Sequence, residues 1–328
     1  MKAWRNLGLW IPLIILALLA AYPVLTGSAS TRETIFNILL SIGLASSLNI
    51  LLGYTGYVSF GHIVFFGLGG YVGFFLIDVA GWNLFPALLV GGLAAGVLAF
   101  LLGLAILRLR GAYFALATIG ILEAMKALVI NLDFFGGPTG MELNFQVYRQ
   151  YGGAGQMLWL VYWTVAAIAA VAIVLSFFVK KSKFGLGLMA IREDEDAAEV
   201  MGVVAPRVKT YAYVLSAILP GMLGTLFFFK QGVIEPGSAF RLHMSIELLV
   251  MVMLGGAGTV LGPILGAGAY QLLRVSLLTS DLQLAGLRIR DVQLAVAGLL
   301  LLLIVLFIPA GAIGWLRARS SFLRRVLE

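Results

Sequence analysis

The sequence predicts an all-α fold, a polytopic membrane helix bundle of about ten transmembrane segments, with a range of eight to ten. Three observations carry this. Of 328 residues, 61% are hydrophobic and 11% are charged, against roughly 25% charged in a soluble domain. Only a bilayer lets so apolar a chain face its surroundings. The apolar residues come in runs close to the roughly 20 that cross the hydrocarbon. Glycine is abundant, at 40 residues, and small residues let membrane helices pack closely.

Spans are expected at 7–26, 35–52, 59–79, 85–107, 112–130, 157–179 and 210–231. The first reads as a retained helix rather than a cleaved signal, because Tyr22 and Pro23 follow its apolar run Leu7 to Ala21 where cleavage needs small residues. The apolar stretch 245–278 is too long for one crossing. It is interrupted at Gly255-Gly256-Ala257-Gly258 and Gly262-Pro263, and its first part, Ser245 to Leu254, reads as a half-helix ending inside the protein. A last span is expected at 292–310. Basic residues gather in the gaps: Lys2 and Arg5, Arg108 and Arg110, the stretch 180–209, and Arg317, Arg319, Arg324 and Arg325. Positive charge beside spans marks the cytoplasmic side, so both termini and 180–209 are expected there. Residues 52–71 and 254–270 share Leu-Gly-x-x-Gly, a Val, and Gly-x-Gly-x-Tyr. Taken as a repeat, they make two parallel half-bundles with glycine-rich helix breaks. The chain 1–328 reads as a single transmembrane domain, with 180–210 a cytoplasmic loop within it.

That loop is the one long polar stretch inside the chain. Five of the fifteen acidic residues lie in it within seven positions: Glu193, Asp194, Glu195, Asp196 and Glu199. One short helix is expected from Met189 to Met201, stopped at Gly202 and followed by Pro206. Ile191, Ala198 and Met201 then share a face. An acidic helix suits an anionic leaflet poorly. Alternating charge around Ala197, Ala198, Val200 and Met201 suits a socket on a cytoplasmic partner.

Ala190-Ile191-Arg192-Glu193-Asp194-Glu195-x-Ala197-Ala198-x-x-x-Gly202 resembles the coupling-loop signature of ABC importer permeases for branched-chain amino acids, specifically the M-type subunit of leucine/isoleucine/valine systems. Four further segments resemble the same family in order along the chain: Gly53-Tyr54-Thr55-Gly56-x-x-Ser59-Phe60-Gly61-His62; Leu109-Arg110-Gly111-x-Tyr113-Phe114-Ala115-x-Ala117-Thr118; Gly136-Gly137-Pro138-Thr139-Gly140; and Ser245-Ile246-Glu247 with Leu254-Gly255-Gly256-x-Gly258-Thr259-x-x-Gly262-Pro263. Two positions depart from the family pattern, Ala112 and Thr259, and they leave the substrate open. The resemblance implies a multi-pass subunit of a bacterial or archaeal cytoplasmic membrane. It implies a heterodimer with a related permease, two cytoplasmic ATP-binding subunits, and a periplasmic or lipid-anchored substrate-binding protein. It makes Ile191, Arg192, Glu193, Asp194, Glu195, Ala197, Ala198, Met201 and Gly202 the ATPase-coupling residues. The chain itself is expected to use no cofactor, ATP and magnesium serving the partner subunits. No Gly-x-x-x-x-Gly-Lys-Ser/Thr occurs in it. The implied cargo is a branched-chain or other hydrophobic amino acid, with urea, short amides and aromatic acids as the alternatives.

Polar residues inside spans need a reason, since charge at mid-bilayer costs roughly 2.5–3.5 kcal/mol on insertion scales. Glu123 and Lys126 lie three apart and are expected to pair, facing the second permease or else lining the path. Asn49 and His62 flank the turn containing Gly53 and Gly56, and His62 reads as an interior hydrogen bonder. With Gly255, Gly256 and Gly258 these form the candidate path and helix-break set. Glu247 is expected near water, and Asn37, Ser46, Ser47 and Thr118 are expected to bond across helices. Catalysis is not expected: there is no cysteine, two histidines are too few for a metal cage, and no nucleophile stands beside a base. The net charge of +7 flanks spans rather than forming a nucleic-acid surface. An ion-driven secondary transporter is the main rival, but it needs buried ionisable relays in several helices, and it leaves the acidic loop without a purpose.

Overall fold

A computed structural model describes residues 7–279, with 283, 284, 287, 288, 299, 311, 313 and 314 beyond them. Helices α1 (Leu7–Thr26), α2 (Ala29–Thr55), α3 (Ile63–Asp78), α4 (Leu84–Ile106) and α5 (Ala112–Ile130) come first. After a polar segment with two 3-10 turns come α6 (Ala154–Lys181), the short α7 (Lys183–Glu193) and α8 (Glu195–Val200), and α9 (Ala205–Gln231). The chain continues through α10 (Pro236–Ala239), α11 (Leu242–Gly255) and α12 (Gly262–Thr279). Among the described residues, seven helical segments are long and apolar enough to cross a membrane: α1, α2, α4, α5, α6, α9 and the stretch Pro236–Gly255. Among the described residues, strands are confined to two-residue pairs, such as Met141–Glu142 with Val233–Ile234. The protein is a multi-pass helix bundle.

Helix α2 is the central post. It packs against α6, α9, α11 and α12 and is buried along nearly its whole length from Ile35 to Thr55. Helices α3 and α4 pack against α9 through glycines. A methyl group at Gly224 would overlap the Phe66 carbonyl, and one at Gly221 would meet Ala95 at 2.6 Å. Close backbone approach replaces the hydrophobic drive that lipid removes. Helix α5 stands apart, with only Phe114, Thr118, Leu122 and Val129 buried along it. The turn 56–62, the break 256–261 and the pair α7–α8 share one face of the bundle. The 131–153 segment and α10 share the opposite face.

The elements expected at 112–130 and at the 245–278 break stand where the sequence put them. Helices α2, α6 and α9 begin at Ala29, Ala154 and Ala205, ahead of the expected 35, 157 and 210, and two further elements are redrawn. The span expected from 59 starts at Ile63, because Gly56 (φ 75°) turns the chain out of α2 and residues 57–62 carry it to α3. The single helix expected from Met189 to Met201 is two helices. Asp194 is extended (φ −159°, ψ 114°), and its carboxylate accepts the Ala197 N–H at 3.0 Å. Aspartate is a strong N-cap and a poor interior helix former, so it starts α8 instead of continuing α7. The final span at 292–310 (apart from Leu299) and the basic termini lie outside the described residues.

Candidate functional site

Helices α2, α9, α11 and α12 enclose a cavity of about 530 Å³, open on the face opposite α7–α8. Along α2 it reaches from Ser30 down to Leu44, roughly 21 Å at 1.5 Å per residue. Its mouth carries Glu33, paired with Lys230, and Arg241. Midway, Gln271 donates to Ser41 at 2.7 Å. Here Glu247, its side chain 6% exposed, accepts from the Tyr270 hydroxyl at 3.1 Å, with His243 at 3.5 Å and Arg274 at 3.6 Å. The deepest walls are apolar: Leu44, Leu248 and Met251.

Beyond the cavity, toward the α7–α8 face, the two glycine breaks meet. Asn49 accepts the Gly258 N–H at 2.9 Å and donates to the Thr259 carbonyl at 3.0 Å. Gly53 lies so close to Gly258 that a side chain on either would collide. Gly258 also sits at φ 81°, a conformation that favours glycine. Arg192, from α7, donates to the Gly53 carbonyl at 2.8 Å. That carbonyl belongs to the last turn of α2, where backbone oxygens lack helical partners and a cation is favourable.

A second anchor ties α8 to the bundle. Glu195 accepts from Lys209 at 2.7 Å and from the Tyr57 hydroxyl at 2.6 Å, and Arg110 stands 3.5 Å away. Lys209 also donates to the Tyr57 hydroxyl at 2.9 Å. The Lys209 side chain is 1% exposed and that of Glu195 12%. Burial pushes the Glu195 carboxyl up, but the hydrogen bonds from Lys209 and Tyr57, with the Lys209 and Arg110 charges, hold it below its ordinary 4.5. Burial, then the bond to Glu195, pushes the Tyr57 phenol well above its ordinary value, so it stays a donor. At the surface Arg110 pairs with Asp196 at 2.9 Å.

Several expected sites are rearranged. Ala198 faces the interior of its own chain, while Ala197, Val200 and Met201 face out, Val200 88% and Met201 85% exposed. The face proposed from Ile191, Ala198 and Met201 is therefore divided: Ile191 and Ala198 hold α7 and α8 on the bundle, and Met201 is at the tip. Glu195 is likewise internal rather than free for a partner. Glu193, Asp194 and Glu199 remain exposed, and Gly202 (φ 91°) turns the chain toward α9. Glu123 and Lys126 form no ion pair: a three-residue spacing permits one, but Glu123 points outward from a sparsely packed helix. His62 is fully enclosed beside Phe65, with neither ring nitrogen in a hydrogen bond of good geometry. Of Asn37, Ser46, Ser47 and Thr118, only Thr118 bonds outside its own helix, accepting the Phe60 N–H at 3.0 Å. Glu247 reaches the cavity rather than the open surface. Sequence reasoning missed Lys209, Ser41, Gln271 and Arg274. Arg274 and Gln271, polar residues inside an apolar helix, were the available signal for the cavity.

The profile described as "Branched-chain amino acid transport system / permease component" matches residues 33–305. The chain belongs to this family. It is 31% identical to the high-affinity branched-chain amino acid transport system permease protein LivM of Escherichia coli K12, over 78% of this chain and 65% of that protein. The chain thus spans just under two thirds of that relative's length. It is 26% identical to the LivH permease protein of the same organism, over 81% of this chain and 90% of that protein. A probable LivM permease protein of Methanocaldococcus jannaschii is 26% identical, over 86% of this chain and 93% of that protein. No solved structure matches. Similarity to both LivM and LivH places two kinds of permease subunit within one family.

Proposed function

We propose that this chain is the membrane-spanning permease subunit of an ATP-driven importer that carries branched-chain or other hydrophobic amino acids. The observation that carries this reading is the α7–α8 unit. It is fixed to the bundle by Arg192 and Glu195, yet it leaves Val200 and Met201 bare at its tip. Such a unit passes force inward while offering an apolar contact outward. In this reading the α7–α8 face is cytoplasmic, as the basic residues around it favour, and the cavity opens to the outside. ATP and magnesium are bound by two separate cytoplasmic subunits, and a binding protein delivers cargo to the cavity mouth. Exposed Glu123 and half-buried Lys126 on α5 favour a second permease subunit as cover, because lipid is a poor neighbour for both.

The test is uptake of labelled leucine by the assembled transporter, with co-purification of the ATPase, for Met201→Glu and Val200→Glu. Both side chains are bare, so folding is expected to survive, while ATPase retention and uptake fall together. Uptake that continues without the ATPase, or normal uptake with the ATPase retained in both variants, overturns the proposal. Labelling of Ser182→Cys checks orientation in this cysteine-free chain: an impermeant reagent should reach it only from the cytoplasmic side.

A further inference from the structure

We propose that the cavity between α2, α9, α11 and α12 is itself a binding site for a zwitterionic amino acid with an apolar side chain. Glu247 receives the ammonium group, Arg274 the carboxylate, and Leu44, Leu248 and Met251 the side chain. This deepens the import reading and rests on it. The cavity's volume, about 530 Å³, lies in the range of ligand pockets, roughly 300–1,000 Å³.

Its lining changes character with depth. Ionic groups stand in the upper and middle part, and apolar walls close the bottom. That order matches a molecule with charge at one end and hydrocarbon at the other. Glu247 is nearly enclosed, and a lone carboxylate inside a membrane bundle needs a counter-charge. The cations given to it are held loosely. Arg274 and His243 stand 3.6 and 3.5 Å from its oxygens, longer than the roughly 2.7–2.9 Å of a charge-assisted bond. His243 Nε2 is also buried without a hydrogen-bond partner. Orphaned polar atoms of this kind mark a place where a ligand group completes the bonding. An ammonium inserted beside Glu247 lets Arg274 turn to a carboxylate, so each charge gains a closer partner. By contrast, the pair at the mouth, Lys230 with Glu33, is already tightly joined.

Single cysteines are clean probes in this chain. Asn37→Cys puts a thiol on the cavity wall, one turn of α2 above Ser41. The assembled permease and ATPase are placed in nanodiscs, with binding protein left out so that it does not shield the thiol. Thiol modification is timed with leucine, with its deaminated 2-oxo acid, and with urea. Leucine is expected to slow modification roughly tenfold once it reaches about ten times its dissociation constant. The 2-oxo acid, which lacks the ammonium, and urea, which lacks both charges, should leave the rate unchanged. Adding Glu247→Gln should abolish leucine protection when each rate is compared with the same variant's own ligand-free rate, and Arg274→Gln should do the same. No protection by leucine, equal protection by urea, or protection that survives both substitutions overturns the site. ATP-dependent leucine uptake is measured on the same unmodified complex in proteoliposomes. Intact uptake without protection removes this site and leaves the importer. Protection without uptake removes the importer reading and leaves the site.

Discussion

Replacing Glu195 by alanine strands Lys209 in the interior, and the size of the effect follows from the geometry. Lys209 is 1% exposed and 2.7 Å from the carboxylate. Breaking a buried pair by removing one partner costs about 3–5 kcal/mol. Glu195 keeps some access to water, at 12% exposed, and Tyr57 still accepts from Lys209 at 2.9 Å, so the expected cost is near the lower end, about 3 kcal/mol. The loss falls on the seat of α8 rather than on the whole fold, because α8 is short and peripheral. Hydrogen exchange of residues 195–204 reads it directly: about 3 kcal/mol corresponds to roughly a hundredfold faster exchange. The double change with Lys209→Met removes the stranded charge and should recover much of the protection. Unchanged exchange in the single variant, or a double variant that exchanges faster than the single one, refutes the assignment of this pair as the α8 anchor.

Arg192→Ala removes the hydrogen bond to the Gly53 carbonyl. It should cut substrate-stimulated ATP hydrolysis severalfold while basal hydrolysis and assembly persist, with Arg192→Lys keeping part of the stimulation, as an ATPase assay on the reconstituted complex will show. Because the folded Glu195 carboxyl is held below its ordinary 4.5, its contribution is present above that value and is lost as pH falls through the lower, folded one. The protection factor at 195–204, with the intrinsic pH dependence of exchange divided out, should therefore be flat near neutrality and fall in acid, and Glu195→Gln should remove most of that fall. Gly224→Leu, which drives a side chain into the Phe66 carbonyl, should collapse the yield of detergent-stable protein, whereas Gly155→Ala, with open space around it, should leave size-exclusion profiles unchanged.

The fold was largely legible because hydropathy over a span is a local property. The break at Gly255 to Gly258 was equally legible, since glycine and proline act where they stand. Asp194 was readable too, as a capping residue ahead of Ala197, but the run of acids around it drew attention to charge instead of geometry. The rest was not local. Glu195 finds Tyr57 across 138 positions, and Asn49 reaches Thr259 across 210. Nothing in either neighbourhood names the other. Conversely, the three-residue spacing of Glu123 and Lys126 suggested a pair that does not form, because helical spacing brings side chains within reach without making them turn to each other. The cavity is assembled from four helices drawn from opposite ends of the chain, so its lining shows in the sequence only as isolated polar residues.

What joins these parts is the short distance between the cavity floor and the glycine seam. Leu44 closes the cavity and Asn49 begins the seam, five residues later on the same helix, about 7.5 Å at helical rise. On the other side of the seam, Met251 of α11 and Gly256, the residue that caps that helix, are also five residues apart. The seam therefore closes the cavity toward the α7–α8 face. Among the described residues it is held by few bonds: two cross it through Asn49, and a third, from Arg192 of α7, ends on its α2 side at the Gly53 carbonyl. The glycines that let α2 and α11 close so tightly also leave no side chains to interlock there. A barrier built from backbone contact and a few hydrogen bonds is opened by a small separation. The third bond belongs to the same α7–α8 unit that Glu195 fixes to the bundle. A shift of that unit away from α2 thus loosens the seam directly, and under the import function proposed above no longer chain of residues is needed between a partner seated at Met201 and the floor of the cavity.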